Sequence, residues 1–431
     1  MTAKATNKAP IVSSDREQRL SWSIVSIFGL GLLILSLLLD QELSLGQGLL
    51  HIMTSTCALT TDAVALGGMA SATLNALLVF IVCLLCIALS KNKLQDDMYA
   101  ALLITTGFAF FGITILNSLP IICGGFLQGK REGQAASSSC FKAILATALA
   151  PFVSYVAFSP DIRLAPALRY PLAFLLGLLL GMISVRVAGH TGLFHQGYTL
   201  YNSGFADGLV ALIFVAIGRF MGLTLESKPA SNQSNADALG YYILFFNIAL
   251  LIFCLTHNRG FANYADLIRH PGKGGRYSDD FGLVTSLTNM ALVGIIGFSY
   301  IKISGGPING PVLAAWFAYI GFAAMGKHPL NTVPILLGVS LANLIGPGQA
   351  NTTSALTAAM LGTALAPISG EFGPLVGLVA GILHASTVGN VLASQAGMNL
   401  YNNGFSTGLV AAFLYPLCEA WQNTKNDRAL S

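Results

Sequence analysis

Self-similarity constrains this chain more than any other feature. Gly68, Asn75, Leu78 and Val79 return 214 residues later as Gly282, Asn289, Leu292 and Val293. At the same spacing Gly112, Leu116, Asn117, Pro120, Ile121 and Gly124 become Gly326, Leu330, Asn331, Pro334, Ile335 and Gly338, a pattern G-x-x-x-L-N-[ST]-x-P-I-x-x-G. The spacing slips to 215 for Gly133, Gln134, Ala135 and Ser139 against Gly348, Gln349, Ala350 and Ser354, and to 216 where Thr147 to Pro151 recurs as Thr363 to Pro367. It closes at 200, where Leu200-Tyr201-Asn202-Ser203-Gly204-Phe205 returns as Leu400-Tyr401-Asn402-Asn403-Gly404-Phe405, and Gly208 to Ala211 as Gly408 to Ala411. Blocks in one fixed order mean a duplicated unit rather than chance matches of small residues. The fall from 216 to 200 leaves 16 extra residues in the first half, between Pro151 and Gly177, read as an exterior loop holding Asp161, Arg163 and Arg169.

What kind of unit is duplicated follows from its apolar runs. Stretches long enough to span a bilayer, or to enter and leave it, fall at 22–39, 72–90, 98–116, 118–128, 140–158, 170–187 and 204–221, then at 240–256, 282–300, 310–325, 331–345, 353–367, 373–388 and 404–418. Only 9% of the residues are charged and 54% are hydrophobic, against roughly a quarter charged in a soluble domain. A soluble fold could not cover its surface with so few charges. The expected fold is therefore an all-α polytopic membrane protein of about 14 transmembrane or re-entrant segments.

Basic loops stay cytoplasmic. With the N-terminus inside, Lys91, Lys93, Lys130, Arg131, Arg186, Lys327, Lys425 and Arg428 fall inside, as do Arg259, Arg269, Lys273 and Arg276 in the loop from His257 to Asp280; Arg163, Arg169, Lys228 and Lys302 fall outside. Six segments per half with one between them turn the halves over, giving two inverted-topology repeats, an arrangement that secondary transporters use with the solute site at the repeat interface. The implied layout is a cytoplasmic tail at 1–21, a first transmembrane helix and exterior connection at 22–60, repeat 1 at 61–222, a linker with one transmembrane helix at 223–270, repeat 2 at 271–420 and a cytoplasmic tail at 421–431. Localisation is expected in the cell inner membrane, multi-pass, with both termini cytoplasmic.

Polar residues repeated in both halves are the candidate site residues, because an unpaired polar group in hydrocarbon is costly. Asn75 and Asn289 lie inside apolar runs. Asn117 and Asn331, followed by a hydroxyl and then a proline, read either as a helix break exposing backbone groups or as an N-capped helix start. Gln134 with Ser138, and Gln349 with Thr353, precede apolar helices, where a dipole and free amides would suit an anionic group and where simple capping is the alternative. Tyr201-Asn202 and Tyr401-Asn402 precede G-F-x-x-G-L-V-A, whose glycines packing explains and whose amide it explains less well. Asn117 with Asn331, Ser138 with Thr353, and Asn202 with Asn402 are expected to converge near the membrane centre. Glu371 falls in a short cytoplasmic turn and is read as exposed, or as a cation or proton ligand if that turn dips inward. Asp207, opposite Thr407, poses the same question. His190, His195 and His384 read as loop or helix-end residues.

At the paired Y-N-x-G-F-x-x-G-L-V-A and L-N-[ST]-x-P blocks the chain resembles a family of bacterial and archaeal integral membrane proteins classed as a domain of unknown function, which implies a multi-pass bacterial membrane protein. Locally, Asn351-Thr352-Thr353-Ser354-Ala355 is similar to the Ser-Asn-Thr signatures of divalent-anion:sodium symporters; the first half has Ala136-Ser137-Ser138-Ser139 instead.

Function is expected to be secondary transport of a small polar or anionic solute, with sodium or protons as candidate coupling ions and no cofactor. The alternative is a passive channel for a small neutral solute. An enzyme is not expected: the sequence has no P-loop, no Rossmann fingerprint, no H-E-x-x-H and no convergent nucleophile set. The seven cysteines are scattered, and Cys83-x-x-Cys86 lies mid-segment. Expected partners are the solute and the lipid bilayer, without nucleic acid, since no basic tract could follow a phosphate backbone; a homo-oligomer is compatible with the sequence.

Overall fold

The structure, a computed structural model, describes residues 14–39, 43–56, 61–226, 234–257, 261–346 and 348–430, with side chains to 424. Readings placed on Lys228, Arg259, most of the tail at 1–21 and the Lys425 and Arg428 side chains lie outside the described residues. Among the described residues every regular element is helical.

Helix α1 (Asp15–Leu38) opens on a Ser14–Glu17 capping box, a reciprocal pair that satisfies two free amides of the first turn. The short α2 (Leu45–Met53) follows. The first half then runs through α3 (Ala63–Leu89), α4 (Asp96–Phe108), α5 (Ile115–Arg131), α6 (Ala136–Leu145), α7 (Ala150–Phe158), α8 (Pro166–Ala188) and α9 (Asn202–Phe220). After α10 (Asp237–Thr256) the second half supplies α11 (Leu283–Ile303), α12 (Gly310–Gly321), α13 (Pro329–Ile345), α14 (Thr353–Gly362), α15 (Ala366–Phe372), α16 (Pro374–Ser394) and α17 (Asn402–Leu430). The tail expected from 421 is thus a continuation of α17. Eight described helices, with α6 and α7 counted as one, are long and apolar enough to cross a membrane. Many of their large apolar side chains face outward, Phe220 at 92% and Leu375 at 79% exposure among them, as a lipid-facing surface requires.

The duplicated sequence builds duplicated geometry. α4 ends in a buried turn at Gly112, and α12 in its counterpart at Gly326, with φ of 130° and 136°, the region that a glycine enters without a Cβ clash. Each turn is braced in the same way. Asn75 Nδ2 donates to Ala109 O (2.8 Å) and Ile113 O (2.9 Å), and Asn289 Nδ2 donates to Ala323 O (2.8 Å) and Lys327 O (2.7 Å). Asn117 Nδ2 reaches back to Gly112 O at 2.9 Å and Asn331 Nδ2 to Gly326 O at 2.8 Å, while their Oδ1 atoms accept from the amides of Thr114 and His328. The chain interruption therefore falls at the glycine turns. The Asn-Ser/Thr-x-Pro blocks form the capped starts of α5 and α13, with Pro120 and Pro334 inside those helices.

The halves meet through reciprocal contacts. α4 and α12 pack antiparallel, Gly107 against Phe317 and Gly321 against Leu103, positions related by the same 214-residue spacing. The Leu200 amide donates to Ala364 O and the Leu400 amide to Ala148 O, both at 2.9 Å. Phe205 and Phe405 stack with centroids 5.3 Å apart, and Gly204 faces Gly404 so closely that a Cβ on Gly404 would stand 2.9 Å from the Gly204 Cα.

On the side of the first half's α4 N-terminus, the connection between α10 and α11 is tied down by charge. Ser278 N donates to Asp96 Oδ1 (2.7 Å), Gln95 Nε2 to Asp279 Oδ1 (2.7 Å), and Arg276 Nε pairs with Asp279 Oδ2 (2.8 Å). Burial pushes the Asp96 carboxyl up to about 7, against the lowering effect of the Ser278 amide and Arg276.

Candidate functional site

The two Leu-Tyr-Asn segments cross at the contact between the halves and enclose a cavity of about 10 Å³, room for roughly one water molecule. Its walls come in pairs: Tyr201 with Tyr401, Ser203 with Asn403, Gly204 with Gly404, Phe108 with Phe322, and Leu145 with Leu361. Each tyrosine ring stands edge-on to the phenylalanine of the opposite half, Phe108 to Tyr401 at 4.7 Å and Phe322 to Tyr201 at 4.6 Å.

The pairing stops at the polar groups around that cavity. Lys327 is fully buried, and its Nζ donates to the Tyr201 hydroxyl at 2.7 Å. Its amine also lies 4.6 Å, 5.5 Å and 5.5 Å from the ring centroids of Tyr201, Tyr319 and Phe322. It takes part in none of the ion pairs among the described residues. The charge pattern set it in a cytoplasmic loop; it occupies instead the buried turn between α12 and α13, walled by aromatic rings rather than by solvent. On α9, Asp207 is fully buried, one carboxyl oxygen accepting from Ser184 Oγ and the other unpartnered. On α16, His384 is equally buried and bonds Asn403 Oδ1 (3.1 Å) and Ser406 Oγ (2.9 Å). It is a mid-helix residue, not a helix-end one, while His195 closes a short helical turn and bonds Asn202.

Of the expected residues, Tyr201 and Tyr401 line the cavity and Asn402 lies beside it, bonded to Asn403 Nδ2 at 3.0 Å. Asn202 is held within its own half by Thr191, His195 and Ala188 O. Asn75, Asn289, Asn117 and Asn331 are spent on the turns described above. Gln134, Ser138 and Gln349 are exposed at helix approaches, and Thr353 is buried against Asn309 Nδ2 (2.7 Å). The pairs Asn117 with Asn331 and Ser138 with Thr353 are therefore not brought together at the cavity. Glu371 is exposed at the end of α15. The signal for what was missed lies in the repeat itself: at the spacings of 214 and 200, Lys327 falls opposite Ile113, His384 opposite Ser184 and Asp207 opposite Thr407.

A second asymmetry flanks the glycine turns. In the first half an open groove of about 310 Å³ reaches Asn117 and Ser154, walled by Pro120, Val153, Tyr170 and Phe174. In the second half the chain at 270–273 fills the corresponding place. Gly272 (φ +94°) lies so close that a Cβ there would come within 2.4 Å of Gly326 O and 2.9 Å of Asn331 Nδ2. His328 Nε2 bonds His270 O at 2.8 Å, Pro271 O lies against Gly370, and Lys273 Nζ sits 4.0 Å from the Tyr198 ring centroid.

Compared with known families, residues 41–220 and 256–420 match the family described as Protein of unknown function (DUF1576), so the chain belongs to that family. No curated protein and no solved structure matches.

Proposed function

We propose that this member of the DUF1576 family is a secondary transporter moving a small polar or anionic solute across the bacterial cell membrane, with its site where two inverted repeats meet. The observation that carries the reading is the cavity between the halves, lined in pairs, with a buried lysine bonded to its wall residue Tyr201 and in no ion pair among the described residues. Reciprocal contacts between the halves are what an inverted repeat with an axis in the membrane plane would make.

On this reading the chain has about fourteen segments, not all of which cross. α4 has 13 residues and α12 has 12. At 1.5 Å per residue these reach roughly 18 to 20 Å, short of a hydrocarbon core of about 30 Å. Each then ends part-way across, in a glycine turn buried in protein, which is where non-helical backbone at membrane depth is tolerated. The same reading sets the protein in the inner membrane with both termini in the cytoplasm.

Purified protein in vesicles, loaded against imposed sodium or proton gradients and offered a panel of small solutes, tests the proposal. Saturable uptake that follows one gradient is expected. Flux rising linearly with solute, or single-channel current, would replace the carrier with a pore.

A further inference from the structure

The duplication supplies an internal control for Lys327. The first half builds the same glycine turn with the same asparagine brace and places an isoleucine, Ile113, where the second half places the lysine. In both halves the turn uses only backbone atoms of that residue: its amide donates to Phe108 O or Phe322 O, and its carbonyl accepts from the asparagine. The amine is not what makes the turn fold.

Its burial is also unfavourable as it stands. A desolvated ammonium costs several kcal/mol unless a counter-charge answers it. Among the described residues Lys327 finds a neutral phenol and three ring faces, with no carboxylate paired to it. Tyr201 links it to the central cavity, because the hydroxyl that accepts from the amine belongs to a ring lining the wall.

We propose that Lys327, through Tyr201, is the charge-recognising group of a site for a small organic monocarboxylate. This rests on the transporter reading for its biological sense, and on the cavity for its chemistry. One cation answers one negative charge. A dianion would keep a second charge unpaired among aromatic and aliphatic walls, and a neutral solute would leave the amine unanswered. Ser203 and Asn403 offer a hydroxyl and an amide on opposite sides, while Phe108, Phe322, Leu145 and Leu361 suit an apolar body. With room for about one water at present, the cavity has to widen as the carboxylate enters, the Tyr201 ring turning aside or relaying the contact.

The test uses the full-length purified protein in detergent and in vesicles, with butyrate and benzoate as probes and succinate, sulfate and glucose as comparators. In the native protein the monocarboxylates are expected to raise the melting temperature by about 3 °C at roughly a hundred times Kd, by linkage to the folded state. The comparators are expected to leave it unchanged. Lys327→Ile, which copies the first half, and Lys327→Met are both expected to fold with an equal or higher melting temperature and to lose the response. The inference is overturned if the monocarboxylates leave the native protein unchanged, if a comparator stabilises it instead, or if both variants keep the shift. Vesicle uptake separates the two readings. A comparator that stabilises the protein and is carried saturably overturns the monocarboxylate site and leaves transport standing. A monocarboxylate response lost in both variants, with no uptake of any probe, keeps the site and removes transport.

Discussion

Asn75 and Asn289 are the clearest place to separate a brace from a binding site. Asn75→Ala removes both donors from Ala109 O and Ile113 O, and Asn289→Ala removes those from Ala323 O and Lys327 O. All four carbonyls belong to closed turns from which water is excluded, so they are left unsatisfied at about 1–3 kcal/mol each, or ~2–6 kcal/mol per substitution. Hydrogen bonds measured inside membrane proteins average nearer 0.6 kcal/mol, which draws the expectation to the low end, ~2–3 kcal/mol. The two variants should also differ. Asn75 Oδ1 has no partner, so its removal relieves an existing cost, whereas Asn289 Oδ1 accepts from the Tyr264 hydroxyl at 3.4 Å. Asn75→Ala is therefore expected to be the milder by ~1 kcal/mol. Reversible unfolding in mixed detergent gives the free energies, and melting temperatures give their order. Either variant keeping native stability while losing solute uptake would refute the brace and make that amide a ligand.

Three further outcomes follow from single contacts. Gly404→Ala puts a methyl 2.9 Å from the Gly204 Cα, a backbone atom that cannot turn aside; the halves must part, at ~1–3 kcal/mol, read as a lower melting temperature. Gly272→Ala combines a left-handed φ of +94° with a Cβ 2.4 Å from Gly326 O, so the segment at 270–273 should lift from the turn and trypsin should cut after Lys273 faster than in the native protein. The third concerns pH. The Asp96 carboxyl is raised in the folded state from 3.8 to about 7 in the company of Asp97, Arg276 and Asp279, so the folded chain holds that proton more tightly. Its contribution is full below 3.8 and fades as pH rises through about 7, so the melting temperature should fall across that window and fall less in Asp96→Asn.

How far the sequence could be read depended on what a repeat preserves. Gly112 and Gly326, and Asn117 and Asn331, share identity and spacing because each member does the same job in its own half's turn, and such pairs exposed the duplication. What those residues do was not legible, since an asparagine in an apolar run is equally a ligand or a brace until the chain's own carbonyls are placed around it. Lys327 was hidden for a different reason. The positive-inside rule counts lysines in connections between apolar runs and cannot tell a solvated loop from a buried turn. Aligned with its own duplicate, however, it stands at an isoleucine position, and a cation where the other copy keeps an aliphatic side chain is readable without coordinates.

The departures from the repeat are more informative than the matches. On the transport reading proposed above, two copies of one unit packed through reciprocal contacts would have two near-equivalent arrangements, the bistability by which a carrier exposes one site to each side in turn. A fully symmetric scaffold, however, would have no fixed arrangement at rest. Here the first half leaves its groove at Asn117 open, and the second half has the same place filled by the chain from His270 to Lys273. If the halves exchange roles, the Asn117 groove has to close and that segment has to leave Gly326. It is held there by the His270 carbonyl on His328, by Lys273 over Tyr198 and by a glycine that no other residue can replace without strain. Lys327 lies one residue from Gly326 and from His328, so the charge proposed to recognise the solute sits on the turn that the segment covers. On the transport reading proposed above, a solute drawing on the amine would strain the same turn that the segment at 270–273 covers, and occupancy of the central cavity would reach that segment through Gly326 and His328.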